Sequence, residues 1–365
     1  MTLRIAHLQP FVPHYREEFF EELSRRVQQT VYVYKDDRAA GATGCNISAT
    51  EHKYISNKLM KGGRLLVYNP LPLLRGRYDV LVLMLHSGHI TTWLLLLTKW
   101  LHRRKIILWG QGISVTHYIE QERRPSPLRR LQIALADGVW LYMEKERRQW
   151  QAIFPHKPMA ALNNTLTGVS LMTSYKPDCT IEELKDKYGI SQETVLIFCA
   201  RFNGLRRTDL LVETIRRLDP QRFAFVIIGG GDLKPDFSPY DNVHDFGPLY
   251  DTAVKRELFA LSDIYFQPGW VGLSIVEAMA YGKPVFTFRR SRETLQCVEY
   301  SYIQHGYNGM ILNDIDHCVS TLSGLSQSDI SRMSRNARSY VAENLTMEQM
   351  IERAMTVVDL VAGKK

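Results

Sequence analysis

Short apolar runs alternate with amphipathic stretches along most of the chain. LRIAHLQ (3–9) precedes the helical pattern YREEFFEELSRRV (15–27), and TVLIFCA (194–200) and FAFVIIGGG (223–231) continue the arrangement in the second half. Apolar runs of this length predict buried strands, whereas apolar residues at helical spacing predict amphipathic helices. Regular alternation of the two predicts parallel strands covered by helices, so the predicted fold class is α/β.

A polar segment that ends in proline, NNTLTGVSLMTSYKP (163–177), interrupts this alternation. We expect a domain boundary there, with an N-terminal domain over residues 1–168 and a C-terminal domain over residues 177–345. Two doubly wound, Rossmann-like domains facing a cleft would bind ligands near the carboxyl ends of their strands. A last helical pattern in residues 346–365 could pack back on the N-terminal domain.

Charge is distributed unevenly between the two halves. Residues 1–170 carry 24 Lys/Arg against 13 Asp/Glu, a net charge of +11, whereas the whole chain carries +8. A phosphate-bearing substrate, an anionic membrane surface or nucleic acid could each explain a basic first half. Nucleic acid is the weakest of the three, because no helix-turn-helix, zinc-finger or RNP-like pattern is present.

Cysteine usage and apolar segments indicate a cytoplasmic protein. The five cysteines are scattered and never form a C-x-x-C pair, which argues for reduced thiols and against a disulfide framework or a zinc site; they are Cys45, Cys179, Cys199, Cys297 and Cys318. The N-terminal MTLRIAHLQPF lacks the apolar core of a signal peptide. TTWLLLLTKW (91–100) is too short to span a bilayer.

Two basic side chains and a glycine triplet follow predicted strands of the C-terminal domain. Arg201 and Arg206 come after the strand that ends near residue 200, and Gly229 and Gly230 directly follow the next strand. Two cations at a strand end suit a diphosphate, and glycine lets the backbone approach a phosphate closely. A solvated basic loop and a plain strand-to-helix turn are the alternative interpretations.

The segment PGWVGLSIVEAMAYGKPV (268–285) places a carboxylate, Glu277, among apolar residues of a short predicted helix. Helix N-termini bind anions through free N–H groups. Gly272 would let a phosphate come close, and Glu277 could then accept hydrogen bonds from ribose hydroxyls. Alternatively, Ser274 and Glu277 have the spacing of a capping box, which would make the acid structural. The local sequence leaves both interpretations open.

Four motifs together resemble, in order and spacing, the GT-B glycosyltransferases of the glycosyl-group-1 type (family 4-like): ARFNGLRRTDLL, VIIGGGDL, GLSIVEAMAYGKPV and EYSYIQHGYNGMIL (299–312). The resemblance implies a GT-B fold whose C-terminal domain binds a nucleotide-diphosphate-sugar as substrate, with no cofactor. It implies roles for Arg201, Arg206 and the backbone of Val271, Gly272 and Leu273 at the diphosphate, Glu277 at the ribose, Val243, His244 and Phe246 at the base, and Gly229, Gly230, Gly269 and Trp270 in donor-site loops.

The sequence departs from the family pattern at two of these positions. Arg206 stands where the family usually has lysine. Gly269 stands where it usually has a first glutamate, eight positions before Glu277 and close to the donor sugar. Trp270 would fill some of the space that this glutamate leaves.

The N-terminal half resembles the family more faintly. His86 and His89 follow the strand VLVLML (80–85), where related enzymes often place a functional histidine. Either one could stabilise the oxocarbenium-like charge of the sugar or orient the acceptor hydroxyl, and a helix-capping histidine is the alternative. The residues expected on the acceptor side are His14, Tyr15, Arg16 and Gln111.

The resemblance therefore implies a retaining glycosyltransferase that acts on a glycan or lipid-linked saccharide in bacterial surface polysaccharide synthesis. No metal is expected, because arginines can carry the diphosphate charge. Basic pairs interleaved with tryptophans suit an anionic membrane surface on the cytoplasmic side, although the tryptophans could also pack internally; these are Trp93, Trp100, Trp140 and Trp150. A GT-B epimerase, or a non-catalytic relative that binds sugar nucleotide or an anionic polymer, is the alternative.

Overall fold

The computed structural model describes residues 2–35 and 51–363. The chain divides into two compact units, residues 1–167 with 347–365 and residues 168–346. Of the five cysteines, Cys45 lies outside the described residues, and the other four are free thiols.

The first unit is built on a parallel sheet in the order β3-β2-β1-β6-β7-β8-β9, with β4 and β5 forming a separate antiparallel hairpin. Its strands are β1 (Arg4–Gln9), β2 (Gln28–Val33), β3 (Lys53–Tyr54), β4 (Asn57–Met60), β5 (Leu65–Tyr68), β6 (Val80–Met84), β7 (Lys105–Gly110), β8 (Gly138–Leu141) and β9 (Met159–Ala161). Its helices are α1 (Glu17–Ser24), α2 (Leu71–Arg75), α3 (Ile90–Leu97), α4 (Lys99–His102), α5 (Tyr118–Arg123), α6 (Pro127–Leu135) and α7 (Glu144–Ile153).

The last helix of the chain, Met347–Ala362, packs on the sheet of the first unit, and we number it α15. The indole Nε1 of Trp140 donates a hydrogen bond of 3.2 Å to the carbonyl oxygen of Ala354 in this helix. A Cβ atom at Gly138 would lie 2.8 Å from the side chains of Val357 and Val361, so glycine permits the close approach of helix and strand.

The second unit repeats the architecture with six parallel strands in the order β12-β11-β10-β13-β14-β15. These are β10 (Thr194–Cys199), β11 (Phe223–Ile228), β12 (Val243–Asp245), β13 (Ile264–Phe266), β14 (Val285–Phe288) and β15 (Gly309–Leu312). The helices are α8 (Val169–Ser174), α9 (Ile181–Lys187), α10 (Thr208–Arg217), α11 (Thr252–Leu261), α12 (Ser274–Ala280), α13 (Ile315–Gly324) and α14 (Gln327–Asn344).

Parallel strands covered by helices on both faces read as continuous apolar runs, and the central strands of both sheets are buried along nearly their whole length. The strand order reverses between β1 and β6 in the first unit and between β10 and β13 in the second. Ligands of such folds bind beyond the carboxyl ends of the strands at this switch point. The prediction of an α/β chain with two doubly wound, Rossmann-like domains is confirmed.

Candidate functional site

The switch point of the second unit is formed by the loops that follow β10 and β13. Tyr265 in β13 connects them, because its hydroxyl lies 3.0 Å from the carbonyl oxygen of Cys199 and 2.7 Å from Oε1 of Gln267. The Cys199 side chain interacts electrostatically with Lys255, Glu277 and Arg206. Burial raises the pKa of the Cys199 thiol to about 12, so it is a neutral neighbour of these charges.

Two buried glutamines hold the loop over residues 267–273. Gln267 donates from Nε2 to the carbonyl oxygens of Gly269 (3.0 Å) and Trp270 (2.8 Å). Gln296 accepts the backbone N–H of Val271 at 2.8 Å and donates to the carbonyl oxygen of Phe288 at 2.8 Å. Neither side chain could be predicted from the sequence, since an isolated glutamine has no distinctive local signal. The amide of Val271 is therefore already occupied, which corrects its predicted place among the phosphate-capping amides.

Arg206 is fixed by this same loop. One of its terminal nitrogens donates to the carbonyl oxygen of Trp270, whose backbone has a left-handed φ of 50°. Burial lowers the pKa of Arg206, and no carboxylate pairs with it among the residues that the structure describes. A partly buried cation without a carboxylate is costly until an anion binds it, so Arg206 is suited to a phosphate.

Glu277 has a partner that the sequence did not reveal. The Nζ atom of Lys255 in α11 lies 2.7 Å from Oε1 and 2.8 Å from Oε2 of Glu277. Burial lowers the pKa of Lys255, but attraction to Cys199 and Glu277 outweighs this effect and raises it overall. Because the Cys199 thiol is neutral, Glu277 is the effective partner of Lys255.

The capping box is not formed. Helix α12 begins after Leu273, which makes no side-chain cap, and the hydroxyl of Ser274 instead donates to Oε1 of Gln267 at 3.1 Å. The structural interpretation of Glu277 is therefore wrong in the form predicted, because the serine lies inside the helix and not at its cap.

The two glycines of this loop, Gly269 and Gly272, differ in the space around them. A Cβ atom at Gly269 would lie 2.7 Å from the carbonyl oxygen of Leu205 and 2.9 Å from Cγ of Arg207, whereas one at Gly272 would meet nothing within 4 Å. Gly269 is thus required by packing against the loop after β10, and a glutamate at this position would displace that loop. Gly272 leaves open space at the start of α12.

Close contacts explain why glycine occupies two positions of the triplet that follows β11. A Cβ atom at Gly229, whose φ is 150°, would lie 2.1 Å from the carbonyl oxygen of Ala200, and one at Gly230 would lie 2.8 Å from Pro248. The backbone of Phe202 donates to Gly230 at 3.0 Å. The plain-turn interpretation accounts for these glycines, because two loops pack directly on each other here.

The remaining predicted donor residues lie at the edges of this region. Arg201 is exposed and has no ion-pair partner among the described residues. In the segment after β11, Val243 and His244 belong to β12, burial lowers the pKa of His244, and the Phe246 ring packs edge-on against Tyr188 with centroids 5.6 Å apart. The predicted roles of these residues at the diphosphate and at the base stay predictions.

In the first unit, the two candidate histidines differ in exposure. His86 is exposed and accepts the N–H of Gly88 at 3.1 Å, whereas His89 is buried against Tyr34. Their rings lie 4.8 Å apart. Burial, reinforced by His86, lowers the pKa of His89 to about 3, and burial together with Arg129 lowers that of His86. Both are therefore neutral at pH 7, and only His86 presents its ring to solvent.

The predicted acceptor-side residues follow the carboxyl ends of β1 and β7. The guanidinium of Arg16 is buried, lies 4.4 Å from the ring centroid of Trp109 and donates to the hydroxyl of Tyr142 at 2.9 Å. Arg16 therefore has a structural role at this edge of the sheet. The other three, His14, Tyr15 and Gln111, are exposed or half-buried.

The tryptophans are mostly internal. Trp140 and Trp150 are fully buried, and Trp93 donates its indole N–H to the carbonyl oxygen of Ser87 at 2.9 Å, whereas Trp100 is 74% exposed. The internal-packing interpretation is therefore correct for Trp140 and Trp150. Among the residues that the structure describes, we find neither a helix long and apolar enough to cross a membrane nor a cluster of three or more side chains that could hold a metal ion.

Comparisons with known proteins relate the second unit to a known family. Residues 193–327 match the family model for Glycosyl transferases group 1. A Bacillus subtilis (strain 168) protein named provisionally as a glycosyltransferase, YtcC, is 24% identical over 228 residues, which are 54% of each chain. The chain thus spans about half the length of this curated relative.

Solved structures share the fold over nearly the whole chain at low sequence identity. Anabaena Alr3699/HepE in complex with UDP and glucose has a TM-score of 0.64 at 13% identity, over 98% of this chain and 100% of that one. A Listeria monocytogenes protein named provisionally as a UDP-N-acetylglucosamine 2-epimerase has a TM-score of 0.60 at 13% identity, over 98% and 96%. This likeness shows the fold and not the reaction. Residues 193–327 thus match the group 1 glycosyltransferases, and the two Rossmann-like units have the GT-B fold of the solved neighbours.

Proposed function

We propose that the protein is a retaining, metal-independent glycosyltransferase. It would move a sugar from a nucleotide-diphosphate donor to a glycan or lipid-linked saccharide in the synthesis of a bacterial surface polysaccharide. The family membership of residues 193–327 supports the reaction class, and Alr3699/HepE, which has the same fold, was crystallised with UDP and glucose. The acceptor, the retention of configuration and the pathway are proposed by analogy with the family.

One observation carries the proposal. Arg206, a partly buried cation without a carboxylate, and the Lys255–Glu277 pair lie together around Cys199 at the switch point of the second unit. In transfer, the bond between the anomeric carbon and the diphosphate breaks, and the leaving diphosphate gains negative charge. Arg206 and the exposed Arg201 would stabilise that charge, which makes a metal unnecessary. Glu277 would accept hydrogen bonds from the ribose.

In the first unit, His86 is the better placed of the two histidine candidates. It is exposed, whereas His89 is buried, and it is neutral at pH 7 because burial lowers its pKa. Because Nδ1 accepts the N–H of Gly88, Nε2 of the neutral ring carries the proton, and it can donate a hydrogen bond to a sugar or acceptor hydroxyl oxygen and orient it. We propose this role for His86 and a supporting role for His89. Because a lipid-linked acceptor lies in a membrane, we also propose that the chain is cytoplasmic and binds an anionic membrane surface peripherally.

The proposal is tested by thermal unfolding with UDP, GDP, ADP, TDP and CMP. Ligand binding to the native state raises the melting temperature by mass action. We expect one nucleoside diphosphate to stabilise the wild type but not Arg206→Gln. Arg216→Gln is the matched control, because Arg216 is an exposed arginine on α10 paired with Glu213. If none of the nucleotides shifts the wild type, the donor site is wrong as proposed.

Gly269 favours a second candidate, a relative that binds sugar nucleotide without transferring it. The chain lacks the first glutamate of the family motif at this position, and the loop at Leu205 fills the space that its side chain would need. Incubation of the wild type with the stabilising nucleotide-sugar and a panel of saccharide acceptors separates the candidates. Transfer supports the glycosyltransferase, an altered but uncleaved donor indicates an epimerase, and an unchanged donor indicates a binding protein.

A further inference from the structure

One side of the first unit exposes large apolar residues that no described residue covers. Four of them lie at positions 94, 97, 100 and 101 on α3 and α4, and two more lie on α6, which packs beside α3. Lys99 joins these helices, since its Nζ donates to the carbonyl oxygen of Leu135 at 2.9 Å. We call the six residues the apolar face; they are Leu94, Leu97, Trp100, Leu101, Leu128 and Leu131, each at least half exposed.

Exposed apolar residues that stand singly need no explanation, but a contiguous group of this size on adjacent helices indicates an interaction surface. Trp100 and Leu101 are 74% and 61% exposed, in a helix with no buried residue. Tryptophan and leucine beside cations are the composition of helices that lie in a membrane interface.

Basic residues predominate in the segments that carry the apolar face. Residues 52–119 contain ten Lys/Arg and a single acid, Asp79, which accepts the backbone N–H of Arg4 at 2.9 Å. Helices α3, α4 and α6 contain no acid at all. The nearest, Asp137, is paired with Lys99 at 2.8 Å. Exposed Arg103 follows α4, and exposed Arg130 lies on α6 beside Leu131.

We propose that the apolar face docks on an anionic lipid bilayer, with Leu97, Trp100 and Leu101 entering the headgroup region and Arg103 and Arg130 contacting lipid phosphates. Charge complementarity selects this occupant, because a surface on which cations predominate is drawn to anionic lipid. This docking rests on the peripheral attachment proposed above, and it involves residues other than Trp140 and Trp150. Its test needs neither donor nor acceptor, so its failure would leave glycosyl transfer standing, and failure of transfer would leave the docking face standing.

The test is co-sedimentation of the full chain with vesicles of phosphatidylcholine alone or mixed with an equal part of phosphatidylglycerol. We expect binding to the mixed vesicles only. The double variant Leu97→Ser/Leu101→Ser should lose most of it, and Arg103→Gln/Arg130→Gln should weaken it, by about fivefold for each arginine. Leu360→Ser is the matched control, since Leu360 is 60% exposed on α15 of the same unit and should bind as the wild type does.

Three results would overturn the proposal. These are no sedimentation with either vesicle, equal sedimentation of the wild type and the Leu97→Ser/Leu101→Ser variant, and a wild-type dimer in light scattering that this variant converts to a monomer. The last result would assign the face to contact between copies of the chain. A melting temperature close to that of the wild type in all variants would show that they remain folded.

Discussion

Replacing Lys255 by methionine should weaken both the stability of the second unit and its preference for ribose. Lys255 contacts both carboxylate oxygens of Glu277, and 27% and 16% of the two side chains are exposed. At 2.7 Å and an effective dielectric constant of about 20, the attraction is about 6 kcal/mol before desolvation is subtracted. Removing one partner of a fully buried pair costs about 3–5 kcal/mol. Because water reaches this pair, we expect a loss of about 2–3 kcal/mol.

Urea unfolding of the full chain, followed by circular dichroism, measures this loss. Lys187→Met is the control. Lys187, on α9, pairs with Glu257 on α11, and its side chain is 53% exposed. An exposed ion pair contributes little to stability, so the control should stay close to the wild type. Both variants remove an ammonium group from an ion pair that involves α11, and the two pairs differ in burial.

The binding experiment compares the nucleoside diphosphate that stabilises the wild type with its 2′-deoxy analogue. If Lys255 holds Glu277 toward the ribose, the preference for ribose should fall at least about tenfold in Lys255→Met and in Glu277→Gln, since a hydrogen bond to a charged group contributes about 1.5–3 kcal/mol. A Lys255→Met protein that keeps wild-type unfolding and full ribose preference would refute the reasoning.

Four other substitutions probe the same loop and the core of the first unit. Gly269→Ala should lower stability by about 1–3 kcal/mol, because the new Cβ would meet the carbonyl oxygen of Leu205. Gly272→Ala places its Cβ in open space and should be nearly neutral in thermal unfolding. Equal effects of the two substitutions would contradict this. Gln296→Met leaves the buried N–H of Val271 without its acceptor. It should lower the free energy of unfolding by about 1–3 kcal/mol and weaken nucleotide binding. Unchanged nucleotide affinity would show that the loop does not form the site. Burial lowers the pKa of His7 to about 3. Between about pH 6.5 and that value, His7 binds a proton in the unfolded state but not in the native state, so the free energy of unfolding falls as the pH falls. His7→Phe should remove about 1.4 kcal/mol of that loss per pH unit, and melting temperatures from neutral pH downward would show an unchanged slope if His7 were not responsible.

Much of the site's location was readable from local sequence. The strand ahead of Arg201 and the apolar helix around Glu277 are periodic patterns, and the switch point follows from their α/β order. The partners of these residues were not readable. Lys255 lies 22 positions before Glu277, and Gln296 lies 25 positions after Val271, so no periodicity connects them.

The α/β class, the two Rossmann-like domains and the resemblance to group 1 glycosyltransferases could be predicted from the chain's residues, because they depend on the spacing of apolar residues and on contiguous motifs. Which side chains meet became known only from the folded chain. It buries Trp140 and Trp150 while exposing Trp100, and it makes Gly269 a packing requirement. The physical reason is that helix and strand formation is local, whereas burial and pairing depend on surfaces brought together from distant parts of the chain.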